Sequence, residues 1–150
     1  DFLNKFNKTY YSKFAKNCDE YFYLPHRDER RGIGGIFFDN LKHKNITSSL
    51  SLLASMFETY LTTYKKILNR RLNSKFSIDE KEFQLYRRGR YVEFNLLFDR
   101  GTKFGIESGG RTDSILASLP QNVAWPSKLT SKQISMNKKL NDFLSNNWHA

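Results

Sequence analysis

An α+β fold, with helices and strands mixed rather than alternating, is what this 150-residue sequence predicts. Three observations predict it. Apolar residues recur at helical spacing over 48–73, an alternating apolar pattern occupies 86–101, and no βαβ rhythm links them. The length suffices for one domain with its own core. A hydrophobic content of 39% with 15% aromatic residues belongs to a globular chain rather than a disordered one.

Taken in order, Tyr10, Phe14 and Cys18 lie four apart and place one face on a helix predicted over roughly residues 8–22. In LPHRDERRGIGGIFFDN (24–40), Pro25, Gly32, Gly34 and Gly35 oppose a helix. Ile33, Ile36, Phe37 and Phe38 read there as a short buried strand, and 40–45 as a polar loop. The helix over 48–73 carries its apolar stripe from Leu53 through Met56, Phe57, Tyr60 and Leu61 to Leu72. Thr47 or Ser48 is its expected N-cap, and Lys65, Lys66, Arg70 and Arg71 lie opposite the stripe. Core packing is the expected role of that stripe.

In YRRGRYVEFNLLFDRG (86–101), Val92, Phe94, Leu96 and Phe98 alternate with Tyr91, Glu93, Asn95 and Leu97, which predicts a strand. Glu93 and Asn95 would share its second face, lining a cavity or meeting water. A second strand is expected at Lys103–Glu107 after a turn at Gly101. Thr112 would cap a helix over Asp113–Leu119, stopped by Pro120. A last amphipathic helix is expected from Ser135 or Met136 to Trp148.

Net charge is +10 and the isoelectric point about 9.7, which favours nucleic acid, anionic lipid or ligands bearing carboxylates or phosphates. Cys18 is the only cysteine, so the chain has no internal disulfide and no zinc site built on thiolates. No apolar run reaches membrane-spanning length and no signal-peptide pattern opens the chain. Because it starts at Asp1 rather than Met, the chain is expected to be processed or cut from something longer. The sequence has no Walker A loop, no GxGxxG after a strand, no GxSxG and no HExxH.

The arginines fall in groups beside glycines: Arg27, Arg30 and Arg31 with His26; Arg87, Arg88 and Arg90; Arg100 and Arg111 with Lys103. Guanidinium pairs with carboxylate through two bonds, so a ligand with several carboxylates would explain several groups. Solvated charge paired with Asp28, Glu29 and Asp99 is the alternative. Of three histidines, His43 and His149 read as bystanders, and His26 as the candidate acid, base or ligand. ESGGRTDSILASLP (107–120) sets two glycines and Arg111 before a helix start, a combination that favours an anion.

CDEYFYLPHRDERRGIGGIFFD (18–39) and QLYRRGRYVEFNLLFDRGTKFGIESGGRTDSILASLP (84–120) closely resemble oxygen-dependent coproporphyrinogen III oxidase. The resemblance covers nearly the whole chain and corresponds to the C-terminal half of that family's single domain. It implies a large antiparallel sheet flanked by helices and a homodimer whose interface segment is 91–126. It also implies a reaction in which O2 converts two propionates of coproporphyrinogen III to vinyls. That yields protoporphyrinogen IX, carbon dioxide and hydrogen peroxide. No organic cofactor is implied; a divalent metal is disputed, with His26 as the matching ligand. Gly109, Gly110 and Arg111 match the substrate turn, and Arg27 and Arg100 are further candidates for substrate propionates. The family's proposed catalytic histidine has no counterpart here, so no catalytic residue is assigned and the chain alone is expected to be inactive. The implied compartment is the cytoplasm, or alternatively the mitochondrial intermembrane space.

Two rival readings differ in class. RGRYVEF (88–94) is a near miss to an RNA-recognition strand, which with the basic charge would make an RNA-binding module. A non-catalytic remnant that binds porphyrin or dimerises is the other.

Overall fold

The computed structural model describes residues 2–146, in which the chain forms two compact units. The first comprises 2–21 and 34–75, the second 22–33 and 76–146.

In the first unit a 3₁₀ turn at Leu3–Lys5 precedes α1 (Tyr10–Tyr21). Phe14, Ala15 and Cys18 are the buried residues of α1, the one-sided burial that the spacing predicts. Phe14, Leu3 and Leu52 make the core, and Tyr10 stacks on Phe14 with centroids 4.8 Å apart. The strand expected around 33–38 does not form. Phe37 N–H donates to the Phe14 carbonyl of α1 at 3.0 Å instead of to a ladder, while Ile36 and Phe38 rest on the core and Ile33 is exposed. Gly34 permits this crossing, since a Cβ there would lie 2.8 Å from Asp19 Oδ1.

The long helix, α2 (Ile46–Arg71), starts slightly earlier than expected because Asn45 Oδ1 accepts from Ser48 N–H at 2.8 Å. Arg70 and Arg71 close its last turn, where cations suit the helix dipole. Its stripe, however, is not core: Leu52 is the one buried residue of α2.

The second unit opens with β1 (Tyr23–Leu24) and β2 (Glu29–Arg30), an antiparallel pair in register Tyr23↔Arg30 and Leu24↔Glu29. Pro25–Arg27 forms a 3₁₀ turn between them, closed by Asp28 at φ +49°. Then follow α3 (Ile78–Leu97), α4 (Arg100–Glu107), α5 (Thr112–Leu116) and α6 (Ser131–Leu144). Among the described residues β1 and β2 are the only strands, so the expected large antiparallel sheet is absent and the chain is mostly helical.

The two strands expected over 86–107 are helices, and local chemistry explains both. Ser77 and Glu80 form a reciprocal capping box: Glu80 N–H donates to Ser77 Oγ at 3.3 Å, and Ser77 N–H to Glu80 Oε2 at 2.6 Å. Helix α3 is then buried on more than one side, at Gly89, Arg90, Val92 and Phe94. Apolar residues all round a buried helix can mimic period-two alternation. Asp99 next caps α4, accepting from Thr102 N–H at 2.7 Å, and so replaces the expected hairpin. Helix α6 begins before the expected start, at a second capping box of Thr130 and Gln133, and ends at Leu144. The expected continuation to Trp148 and the terminal His149 fall outside the described residues.

Candidate functional site

Helix α3 presents Glu93 toward the 3₁₀ turn of the hairpin. Arg27 closes its fork on that carboxylate, Nε to Oε2 at 2.9 Å and Nη2 to Oε1 at 2.7 Å. His26 Nε2 lies 2.8 Å from Oε2, and Trp125 Nε1–H donates to Oε1 at 2.8 Å. Burial by itself pushes the Glu93 carboxyl up. Hydrogen bonds from Arg27, Trp125 and His26, with the Arg27 charge, outweigh it and hold the group down to about 2. The bond to Glu93 likewise raises Arg27 above its ordinary value, against a smaller opposing effect of burial. An ionised carboxylate only accepts, so Nε2 of His26 carries a proton and Nδ1 is its remaining position. The imidazole stacks on Phe98, centroids 5.4 Å apart.

Three segments meet on Glu93 because a small residue lets one approach. Gly89 lies one turn earlier in α3, and a Cβ there would stand 3.0 Å from Trp125 Nε1 and 3.4 Å from the Ala124 carbonyl. Ala124 N–H donates to the Leu85 carbonyl at 3.2 Å, which fixes the extended segment along the helix.

A second carboxylate, Glu29 of β2, holds the other arginine group. Arg87 Nη1 donates to it at 3.3 Å, and Arg90, 3% exposed, donates from Nε. Arg90 also donates from Nη2 to the Tyr86 hydroxyl, while Nη1 has no hydrogen bond and lies 3.8 Å from Glu93 Oε1. Arg31 adds a third contact type, its guanidinium 4.1 Å from the centre of the Phe22 ring. Most of the basic character at these positions is therefore structural.

The Gly109–Gly110–Arg111 turn lies apart from that network, between α4 and α5. Gly109 sits at φ +73°, and its N–H donates to the Ile106 carbonyl at 3.1 Å. Gly110 N–H donates to the Gly105 carbonyl at 2.9 Å, so both amides cap α4 rather than point outward. Close contact also fixes Gly110: a Cβ would meet the Gly105 carbonyl oxygen at 2.8 Å. Arg111 stands at the N-cap of α5, exposed and without an ion-pair partner among the described residues. Arg100 is the first residue of α4 and makes contacts of its own.

The structure thus brings His26 and Arg27 together on Glu93 and leaves Arg111 available. A metal at His26 does not fit. The neighbouring carboxylate is already closed by a guanidinium and an indole, and no group of three His, Cys, Asp or Glu among the described residues could hold an ion. Sequence reasoning missed Trp125 and Gly89 and set Glu93 on the second face of a strand rather than on helix α3. The signal for Glu93 was its place three residues after Arg90, neighbours only on a helix.

Comparison with known proteins adds the family. The family model described as Coproporphyrinogen III oxidase matches residues 1–149. The chain is 51% identical over 141 residues to the oxygen-dependent coproporphyrinogen-III oxidase of Francisella tularensis subsp. novicida (strain U112), covering 94% of this chain and 46% of that protein. It is 56% identical over 122 residues to the protein of the same name from Francisella tularensis subsp. holarctica (strain FTNF002-00 / FTA), covering 81% of this chain and 40% of that one. The chain spans less than half the length of the curated relatives it matches.

Proposed function

The chain belongs to the coproporphyrinogen III oxidase family, and from that premise we propose that it supplies one part of an O2-dependent coproporphyrinogen oxidase. For each propionate the reaction balances as side chain –CH2CH2COOH plus O2 giving –CH=CH2, CO2 and H2O2. O2 takes the two electrons, and neither an organic cofactor nor a metal is assigned a step. Arg111 grips a propionate of the tetrapyrrole through a charge-assisted bond. The observation that carries this role is its exposed, unpaired guanidinium, set against an Arg27 whose fork is closed on Glu93. Gly109 and Gly110 shape the turn so that Arg111 stands clear of α4.

Arg27 and His26 act as positioning residues through Glu93, and Arg100, at the opposite end of α4 from the turn, is a secondary candidate. Residues 91–126 remain the proposed segment for homodimer contacts. No helix among the described residues is long and apolar enough to cross a membrane; the named relatives are bacterial, and a cytoplasmic setting is the proposed one. RGRYVEF lies within helix α3 with Val92 and Phe94 buried, so it cannot act as an RNA-stacking strand in this conformation.

The test uses a full-length version in which this chain replaces the matching part of the U112 relative. Arg111→Ala there is expected to raise KM for coproporphyrinogen III roughly 10- to 100-fold with the far-UV spectrum unchanged. Unchanged affinity would remove Arg111 from the site. The 150-residue chain alone is expected to form no protoporphyrinogen, and turnover by it would overturn the proposal.

A further inference from the structure

Helix α2 carries a stripe that its own unit does not cover. At 100° per residue, Ile46, Leu50, Leu53, Phe57, Tyr64 and Leu68 fall within an arc of about 60°. All six are exposed, from 43% at Leu68 to 78% at Ile46. Beside the stripe runs an open groove of about 900 Å³, walled by Tyr60, Tyr64 and Ile67 of α2 and by Phe2, Tyr11 and Ile36. The Tyr60 and Tyr64 rings stack at 5.6 Å, so the groove edge is a flat aromatic step. A contiguous apolar surface of this kind marks an interface.

We propose that this stripe and groove are the seat for the part of the family polypeptide that the chain does not match. The inference rests on the reading above, that the working enzyme is the longer family chain. Length argues for this occupant, because more than half of each relative lies outside the match and has to bury apolar surface of its own. Charge argues against two others. Between Ile46 and Tyr64 the only charged residue is Glu58, and cations (Lys65, Lys66, Arg70 and Arg71) flank the stripe only at its C-terminal end, whereas an anionic lipid surface would require them along its length. A second copy laid antiparallel would set the basic last turn, Arg70 and Arg71, against a first turn with no acidic residue.

The paired substitution Phe57→Asp with Tyr64→Asp, made in the isolated chain and in the full-length chimera, tests the assignment. In the chimera Tm is expected to fall by roughly 5–10 °C, since two apolar seats gain buried charges. In the isolated chain the same pair should leave Tm nearly unchanged. If the chimera variant fails to fold, hydrogen exchange on the unsubstituted proteins decides: α2 amides should exchange at least tenfold more slowly in the chimera. Equal Tm shifts or equal exchange in the two would overturn the proposal. So would a concentration-dependent dimer of the isolated chain that the pair abolishes, or Phe57-dependent binding to phosphatidylglycerol vesicles. A chimera that shows the Tm loss but makes no product from coproporphyrinogen III would leave the seat standing and sink the functional reading instead.

Discussion

Helices α2 and α3 are the two longest in the chain, and they solve opposite problems. Helix α2 has the cleaner apolar periodicity and buries one residue, Leu52. Helix α3 has the muddier pattern, with Arg87, Arg88, Arg90 and Glu93 interrupting it, and buries four positions including an arginine. The difference teaches that periodicity reports which face seeks a partner, not whether that partner lies in the same unit. A charge-rich helix can be interior when its charged groups find partners, as Arg90 does through Nε to Glu29 and Nη2 to the Tyr86 hydroxyl, with Nη1 alone left unbonded.

If α3 is held by its polar network, removing the acceptor shared by three segments should cost the most. Glu93→Ala is expected to destabilise the chain by ~2–4 kcal/mol in urea unfolding, because Arg27, His26 and the Trp125 indole lose their acceptor together. Glu93→Gln, which retains an acceptor for the indole, should fall between. The same network sets a pH dependence. The folded Glu93 carboxyl sits at about 2 against an ordinary 4.5, so its contribution is complete above 4.5 and is lost as pH falls toward 2. Stability measured across that window should drop for the native sequence and drop less steeply for Glu93→Gln. Equal slopes would place the acid sensitivity elsewhere.

A smaller effect comes from the close approach rather than the charge. Gly89→Ala puts a methyl 3.0 Å from the Trp125 indole nitrogen, while alanine gains ~1 kcal/mol of helix propensity over glycine. The net loss is expected to be only ~1 kcal/mol, but the indole should leave Glu93. A change in Trp125 emission, read in a Trp148→Phe background, with stability nearly held, would confirm that Gly89 admits the segment. An unchanged spectrum would show that the helix absorbs the methyl by shifting.

These residues also mark how far the sequence could be read. Helix α1 and helix α2 were legible because a single spacing dominates each. Family membership was legible from two long motifs, whereas the substrate role of Gly109, Gly110 and Arg111 is a proposal that rests on that resemblance. The 86–107 region was misread because Val92, Phe94, Leu96 and Phe98 alternate, whereas the capping box at Ser77 and Glu80 starts a helix nine residues before that stretch. Local period-two evidence cannot see a cap placed upstream. Glu93 was assigned to a sheet face for the same reason, and its partners at 26, 27 and 125 are far away in sequence, where no spacing rule reaches. Had the 3.6-residue period been applied, Tyr86–Arg90 and Arg90–Glu93 would have stood out as neighbours.

The smallest expected effect is the most discriminating for α2. Phe57→Ser removes a large aromatic from a helix that sequence reasoning assigns to a core, where such a change costs ~3–5 kcal/mol. The ring is 64% exposed in this unit, so the expected change in the isolated chain is within ~0.5 kcal/mol. Urea unfolding followed at 222 nm gives the number directly. A loss near the core value would mean that Phe57 is covered even in the isolated chain, and the contrast between α2 and α3 would collapse. A near-zero loss leaves the stripe as surface whose cost of exposure the first unit already tolerates, with its core resting on Leu3, Phe14 and Leu52.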